Sequence, residues 1–96
     1  MAITELKAYE LADLFSTLGD ASRVRIISAL LGREMSVGRL AASLNMSDSA
    51  VSHQLRGLRQ MRLIRGRRDG RQVFYRLADH HVEQLFRMGL QHVRKG

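Results

Sequence analysis

Beyond Met61 the apolar residues of this chain stop recurring every third or fourth position and begin to alternate, which divides the sequence into a helical part and a following hairpin. Leu63-Ile64-Arg65-Gly66-Arg67-Arg68 and the run from Arg71 to Leu77 flank Asp69-Gly70, a strong two-residue hairpin signal. In the second strand Val73, Tyr75 and Leu77 share the side expected to face a core. Gln72, Phe74 and Arg76 point the other way, and Phe74 is expected to pack under a loop.

Before Met61 the periodicity predicts four helices. The first runs from about Thr4 to Leu18 on Leu11, Leu14, Phe15 and Leu18, and Gly19 stops it. Asp20 caps a second, with Val24, Ile27 and Leu31 on one side, Ile26 and Leu30 alongside, and Gly32 at its end. Ser36 caps a short third helix whose core face is Val37, Leu40, Ala41 and Leu44. After a turn at Asn45-Met46, Ser47 caps a fourth that packs through Val51, Leu55 and Leu58, with Met61 near its end. A last helix begins near Asp79 and reaches about Arg94. The predicted class is mainly α with a β-hairpin, a helix-turn-helix followed by a wing.

Charge is placed as unevenly as structure. Between Arg56 and Arg76 stand eight arginines and one acid, Asp69, while the remaining eight basic and eight acidic residues cancel, so the whole formal charge of +7 resides in that window. A polyanion held through counterion release needs such a local field, so the partner expected is double-stranded DNA. With 96 residues, 45% of them hydrophobic, no Pro, no repeat and no linker, one domain over residues 1–96 is expected, with a core small enough that oligomerisation would help it. The longest nearly apolar run, Ile26 to Leu31, is too short for a bilayer, and Met1 to Lys7 has no signal-peptide pattern; a cytoplasmic protein without a membrane partner is expected. The absence of Cys excludes disulfides, thiolate metal sites and thiol redox sensing.

Opposite the apolar face of the fourth helix, Ser49, Ser52, His53, Arg56 and Gln60 form one polar stripe. Small hydroxyls at its N-terminal end, Ser47 included, permit close approach to a groove, and the helix dipole favours a phosphate there. Arg56 can donate two bonds to guanine, and His53 or Gln54 can reach a base edge or a phosphate. Any surface helix has a polar face, but here a second helix, a short turn and a basic hairpin stand in the order that DNA binding requires. Arg67, Arg68 and Arg71 of the wing are expected to reach the backbone or the adjacent minor groove, supplying affinity rather than sequence choice. A solvated charged hairpin that discourages edge-to-edge pairing would not need one sign of charge throughout.

In the last helix, His81, Leu85, Met88 and His92 lie on one face, two imidazoles bracketing an apolar seam. At 1.5 Å per residue they stand roughly 16 Å apart, too far to share one ion. Two copies packed antiparallel about a two-fold axis would bring His81 of one near His92 of the other, twice, with Asp79 beside His81 to add a carboxylate for Zn²⁺ or another divalent transition metal. Spacing alone favours a plainer account, capping by Asp79 and ordinary interface histidines.

Four strings carry a family resemblance: Leu18-Gly19-Asp20 with Arg23-Val24-Arg25-Ile26; Met46-Ser47-Asp48-Ser49-Ala50-Val51-Ser52-His53-Gln54-Leu55; Asp69-Gly70-Arg71; and Asp79-His80-His81-Val82. Over nearly its full length the chain resembles the ArsR/SmtB family of bacterial metal-responsive repressors, and is most similar to the zinc and cobalt sensors with ligands on the last helix. The resemblance implies a winged-helix homodimer joined through its first and last helices that binds an inverted-repeat operator and is released by metal; since one short domain cannot cover both apolar faces, Leu85 and Met88 and the first helix around Leu11 are expected between subunits. Asp79, His81 and His92 match the first three ligands of those sensors. The fourth position, a His or Glu in that pattern, is Lys95, whose ammonium has no lone pair to donate. Where a Cys-Val-Cys motif would stand the chain reads Ser36-Val37-Gly38, which excludes the thiolate site.

Two functions follow. One is a repressor released from its operator by a zinc-like ion; the other is a repressor of the same fold controlled by a different ligand or partner, which fits Lys95 equally well. An enzyme is not expected, because no nucleophile-base-orienter set, phosphate loop or paired carboxylate is present.

Overall fold

In the computed structural model, which describes residues 2–95, each helix begins where a side-chain oxygen accepts the backbone N–H three residues on. The caps are Thr4, Asp20, Ser36, Ser47 and Asp79, with distances of 3.0–3.2 Å. They open α1 (Glu5–Leu18), α2 (Ala21–Ala29), α3 (Val37–Leu44), α4 (Asp48–Gln60) and α5 (His80–Lys95). Two helices end on a non-glycine residue in the left-handed region. After α3, Asn45 has φ 55° and the Met46 N–H returns to the Ala41 carbonyl; after α4, Arg62 has φ 59° and the Leu63 N–H returns to Leu58. The first of these makes the tight turn between α3 and α4. The second drops Leu63 and Ile64 into the core as the strand begins.

Three strands, β1 (Met35–Ser36), β2 (Ile64–Asp69) and β3 (Gln72–Leu77), form an antiparallel sheet in the order β1-β3-β2. The strand β1 has no counterpart in the sequence reading. Its two residues are too few to alternate, and Ser36 is also the cap of α3. The hairpin is also displaced by one residue from expectation: Asp69 pairs with Gln72, so Gly70-Arg71 rather than Asp69-Gly70 forms the two-residue loop. Gly70 takes φ 64° at the first loop position and Arg71 does not share it, the pattern of a type II′ turn, which asks for Gly there. The shifted register sets Arg67 opposite Phe74. Phe74 is accordingly half-buried beneath the Arg67 guanidinium, 5.1 Å from the ring centroid, instead of under a loop.

The core gathers Ile26 and Ile27 of α2 with Leu30 at its C-cap, Leu40 and Ala41 of α3, and Val51, Leu55 and Leu58 of α4, closed by Leu63, Ile64, Leu77 and Val82. In α2 the buried residues are Ile26 and Ile27, continued by Leu30 at the cap; Val24, expected inside, turns outward. The outer helices contribute little to this core. No residue of α1 is buried, and in α5 only Val82 is. Both instead expose apolar side chains: Leu11 at 44%, Phe15 at 54%, Leu85 at 38% and Met88 at 69%. Such faces, unpaired in one chain, call for a second layer. Among the described residues no helix is long and apolar enough to cross a membrane.

Candidate nucleic-acid interface

The two helices of the helix-turn-helix are held together by their buried faces: Leu40 and Ala41 of α3 and Val51, Leu55 and Leu58 of α4 are all nearly inaccessible. Period 3.6 then turns Ser49, Ser52, His53, Arg56 and Gln60 outward, and all five are exposed. Ser47 is exposed at the helix start. Its Oγ accepts the Ala50 N–H at 3.0 Å, which leaves its own O–H proton free to donate. Arg56 makes no side-chain hydrogen bond or ion pair among the described residues, so its five donors are available to a ligand. Arg68, near the end of β2, and Arg71, in the loop itself, are exposed and have no side-chain partner among the described residues.

Two of the expected contacts are engaged elsewhere. Gln54 does not belong to the stripe: it is half-buried on the side facing α2, and its Oε1 accepts from Arg23 Nε at 2.9 Å. Arg67 is not a free wing cation. Its Nη2 lies 2.6 Å from Glu34 Oε1 and its Nε 3.1 Å from both carboxylate oxygens, a forked ion pair joining β2 to the residue before β1. The Arg67 guanidinium holds the Glu34 carboxyl below the usual carboxylate range, and Glu34 raises Arg67 in return. Neither role was visible in the sequence. Residues 34 and 67 are distant along the chain and meet only because β1 joins the hairpin.

At the start of α5, Asp79 Oδ1 accepts the Val82 N–H at 3.1 Å and lies 3.6 Å from His81 Nδ1, with the His81 side chain 93% exposed. Capping by Asp79 is therefore real, and the carboxylate and the imidazole are also neighbours. His92 is exposed further along α5, and among the described residues no three His, Cys, Asp or Glu side chains of one chain gather as a metal site. Asp79 also lines a cleft with Arg59, Arg62 and Arg65, whose charges oppose a cation. Between α1, α2 and α5 runs an open apolar groove of about 380 Å³, walled by Phe15, Leu18, Val24, Leu85, Leu90 and Val93 among others.

The profile of bacterial regulatory proteins of the arsR family matches residues 20–65, the span from the cap of α2 to the start of β2. A transcriptional repressor SmtB homolog from Synechocystis sp. is 49% identical over 89 residues, covering 93% of this chain and 67% of its own length. The chain belongs to the arsR family. The likeness extends to structure: the AntR antimony-specific transcriptional repressor superposes with a TM-score of 0.88 at 33% identity, over 99% of this chain and 86% of that one. The homodimeric winged helix-turn-helix DNA-binding domain of a possible ArsR-family regulator from Mycobacterium bovis gives 0.83 at 28% identity, over 99% and 91%. This arsR-family chain is thus a winged helix-turn-helix and a DNA-binding transcriptional regulator, as the helix pattern and the basic window indicated.

Proposed function

We propose that residues 1–96 act as one DNA-binding domain of a transcriptional repressor, which binds an inverted-repeat operator as a homodimer. Ser47, Ser49, Ser52, His53, Arg56 and Gln60 face the major groove, with Arg56 the principal base reader. Arg68 and Arg71 hold phosphates. The observation that carries this reading is the exposed α4 stripe with Arg56 unpaired among the described residues, followed by a hairpin whose Arg68 and Arg71 are likewise unpaired there. The bare apolar faces of α1 and α5, around Leu11, Leu85 and Met88, support pairing of two copies there, the state that the Mycobacterium bovis neighbour is described as adopting.

The control we propose is a zinc-like divalent ion between the two α5 helices, held by Asp79 and His81 of one subunit and His92 of the other. The donor set of one carboxylate and two neutral imidazoles suits such an ion, and the closeness of Asp79 and His81 provides two of the three donors within one chain. Bound there, the ion would cross-link the subunits. Lys95 and the Arg59, Arg62 and Arg65 side chains around Asp79 make the site weak. The same observations favour the second reading, a repressor of this fold without metal input. Without Cys, the chain has no thiolate for the soft ions such ligands select.

Selection of duplexes from a random pool, followed by zinc titration of the selected complex, tests both parts. An inverted repeat with half-sites about one turn apart, roughly 34 Å, is expected, released as zinc is added. No enriched sequence would overturn the DNA reading. Enrichment with binding indifferent to zinc would leave the metal-free repressor.

A further inference from the structure

The half-buried Arg23 joins three elements with one side chain. Its Nε donates to Gln54 Oε1 on α4 at 2.9 Å, and its Nη1 donates to the Thr17 carbonyl in the last turn of α1 at 3.1 Å. The guanidinium lies against Gly57, where an added Cβ would stand 3.2 Å from Nη2 and 3.6 Å from Cζ. Glycine in the middle of a helix weakens it, and here the missing side chain is the space that the guanidinium fills.

This bridge differs in kind from the rest of the packing around α4. Val51, Leu55 and Leu58 press the helix onto the core through contacts that are not directional, so they set its depth better than its rotation or its position along the axis. A planar fork with fixed donor directions sets both. Gln54 and Gly57 immediately follow His53 and Arg56, so the held residues alternate with those facing DNA. At the other end, Thr17 adjoins Leu18 and Arg23 adjoins Val24, and both of these apolar residues wall the groove against α5.

The geometry points to Arg23 as a positioning residue for DNA recognition, which clamps the recognition helix α4 to the end of α1 through Gln54, Thr17 and the gap at Gly57. It touches no DNA itself. Its contribution appears where base contacts must register, in the preference for one sequence over others, and not in the general attraction to phosphates. This inference rests on the DNA-binding reading above.

The test measures affinity for a duplex selected by the wild-type protein and for a random-sequence duplex of the same length, and compares their ratio among variants. Arg23→Lys keeps the charge and loses the fork; Gln54→Met keeps the length and loses the acceptor. In each the ratio should fall about tenfold, the scale of one mismatched base pair, with random-duplex affinity and its salt dependence unchanged. Gln54→Glu retains an acceptor and should keep the wild-type ratio, since its added charge weakens both duplexes alike. Gly57→Ala should lower the ratio although alanine favours the helix, so a loss there cannot come from a weakened α4. If Arg23→Lys or Gln54→Met does not fold, as judged by circular dichroism, Gly57→Ala decides. A ratio within twofold of wild type in the folded variants, or a parallel fall in both affinities with the ratio intact, would overturn the proposal. If the wild type selects no duplex, the DNA reading fails first and this inference with it.

Discussion

Replacing Glu34 by Gln should make DNA binding more sensitive to salt, because it releases a wing arginine that the native chain withholds. Arg67 directs its fork into the Glu34 carboxylate, with contacts of 2.6 and 3.1 Å, whereas Arg68 and Arg71 have no partner among the described residues. Each phosphate neutralised on a duplex contributes about 0.9 to the slope of log affinity against log salt. Arg68→Ala and Arg71→Ala should therefore each flatten the slope by about 0.9, Arg67→Ala should leave it nearly unchanged, and Glu34→Gln should steepen it by up to about 0.9. Between roughly 50 and 200 mM salt, one such contact corresponds to about a three- to fourfold difference in the affinity lost. Fluorescence anisotropy of a labelled duplex across a salt series resolves this. The sign with pH also follows: since Arg67 depresses the folded-state pKa of Glu34, the pair is intact above the ordinary carboxylate range and is lost only as pH falls through that lowered value. The Glu34→Gln difference should thus be constant through neutral pH. An Arg67→Ala slope as flat as that of Arg68→Ala would show that the ion pair opens on DNA, and would refute the reasoning.

Other expectations concern assembly, metal and backbone. Leu85→Glu with Met88→Glu should convert a dimer into a folded monomer in sedimentation equilibrium, with the operator bound far more weakly; a wild-type monomer at micromolar concentration with full operator affinity would remove the basis for the seam. Calorimetry should show two weak zinc sites per dimer, with zinc tightened by Lys95→His and lost in His92→Ala. Zinc binding that survives His92→Ala would place the ion elsewhere. Arg62→Gly should raise stability to urea by about 0.5–1 kcal/mol, since Arg62 holds a left-handed φ of 59° that costs a residue with a Cβ about 1 kcal/mol or more. A fall in stability would mean that the Arg62 side chain contributes more than its backbone strain costs.

The parts of this fold legible in the sequence are those specified locally. Asp20, Ser36 and Ser47 mark helix starts because a short polar side chain reaches the amide three residues on, and apolar spacing of 3.6 revealed Leu40, Val51, Leu55 and Leu58 as core. The α4 stripe was legible for the same reason, as the complement of a buried face. What was not legible depends on residues far apart in the chain. The strand β1 exists because Met35 and Ser36 meet Tyr75 and Phe74, and two residues carry no period. The one-residue shift of the turn followed from sheet register, since Gly70 suits the second loop position of one turn type and the first of another. Gln54 and Arg67 looked like DNA contacts because adjacency to the stripe and to the wing tip was all the sequence offered; Arg23 and Glu34, which claim them, lie more than 30 positions away.

The claim that α4 reads base edges through Arg56 is tested most directly by a thermodynamic cycle on the selected duplex. Arg56→Ala should cost about 1–3 kcal/mol of affinity, and replacing the guanine of each half-site by a deaza analogue without N7 should cost a comparable amount with the wild-type protein. If Arg56 donates to that guanine, the two losses are the same loss, so Arg56→Ala should bind native and analogue duplexes almost equally. Losses that simply add at every guanine of the half-site would contradict the assignment of Arg56 as a base reader and, with it, the placement of α4 in the major groove.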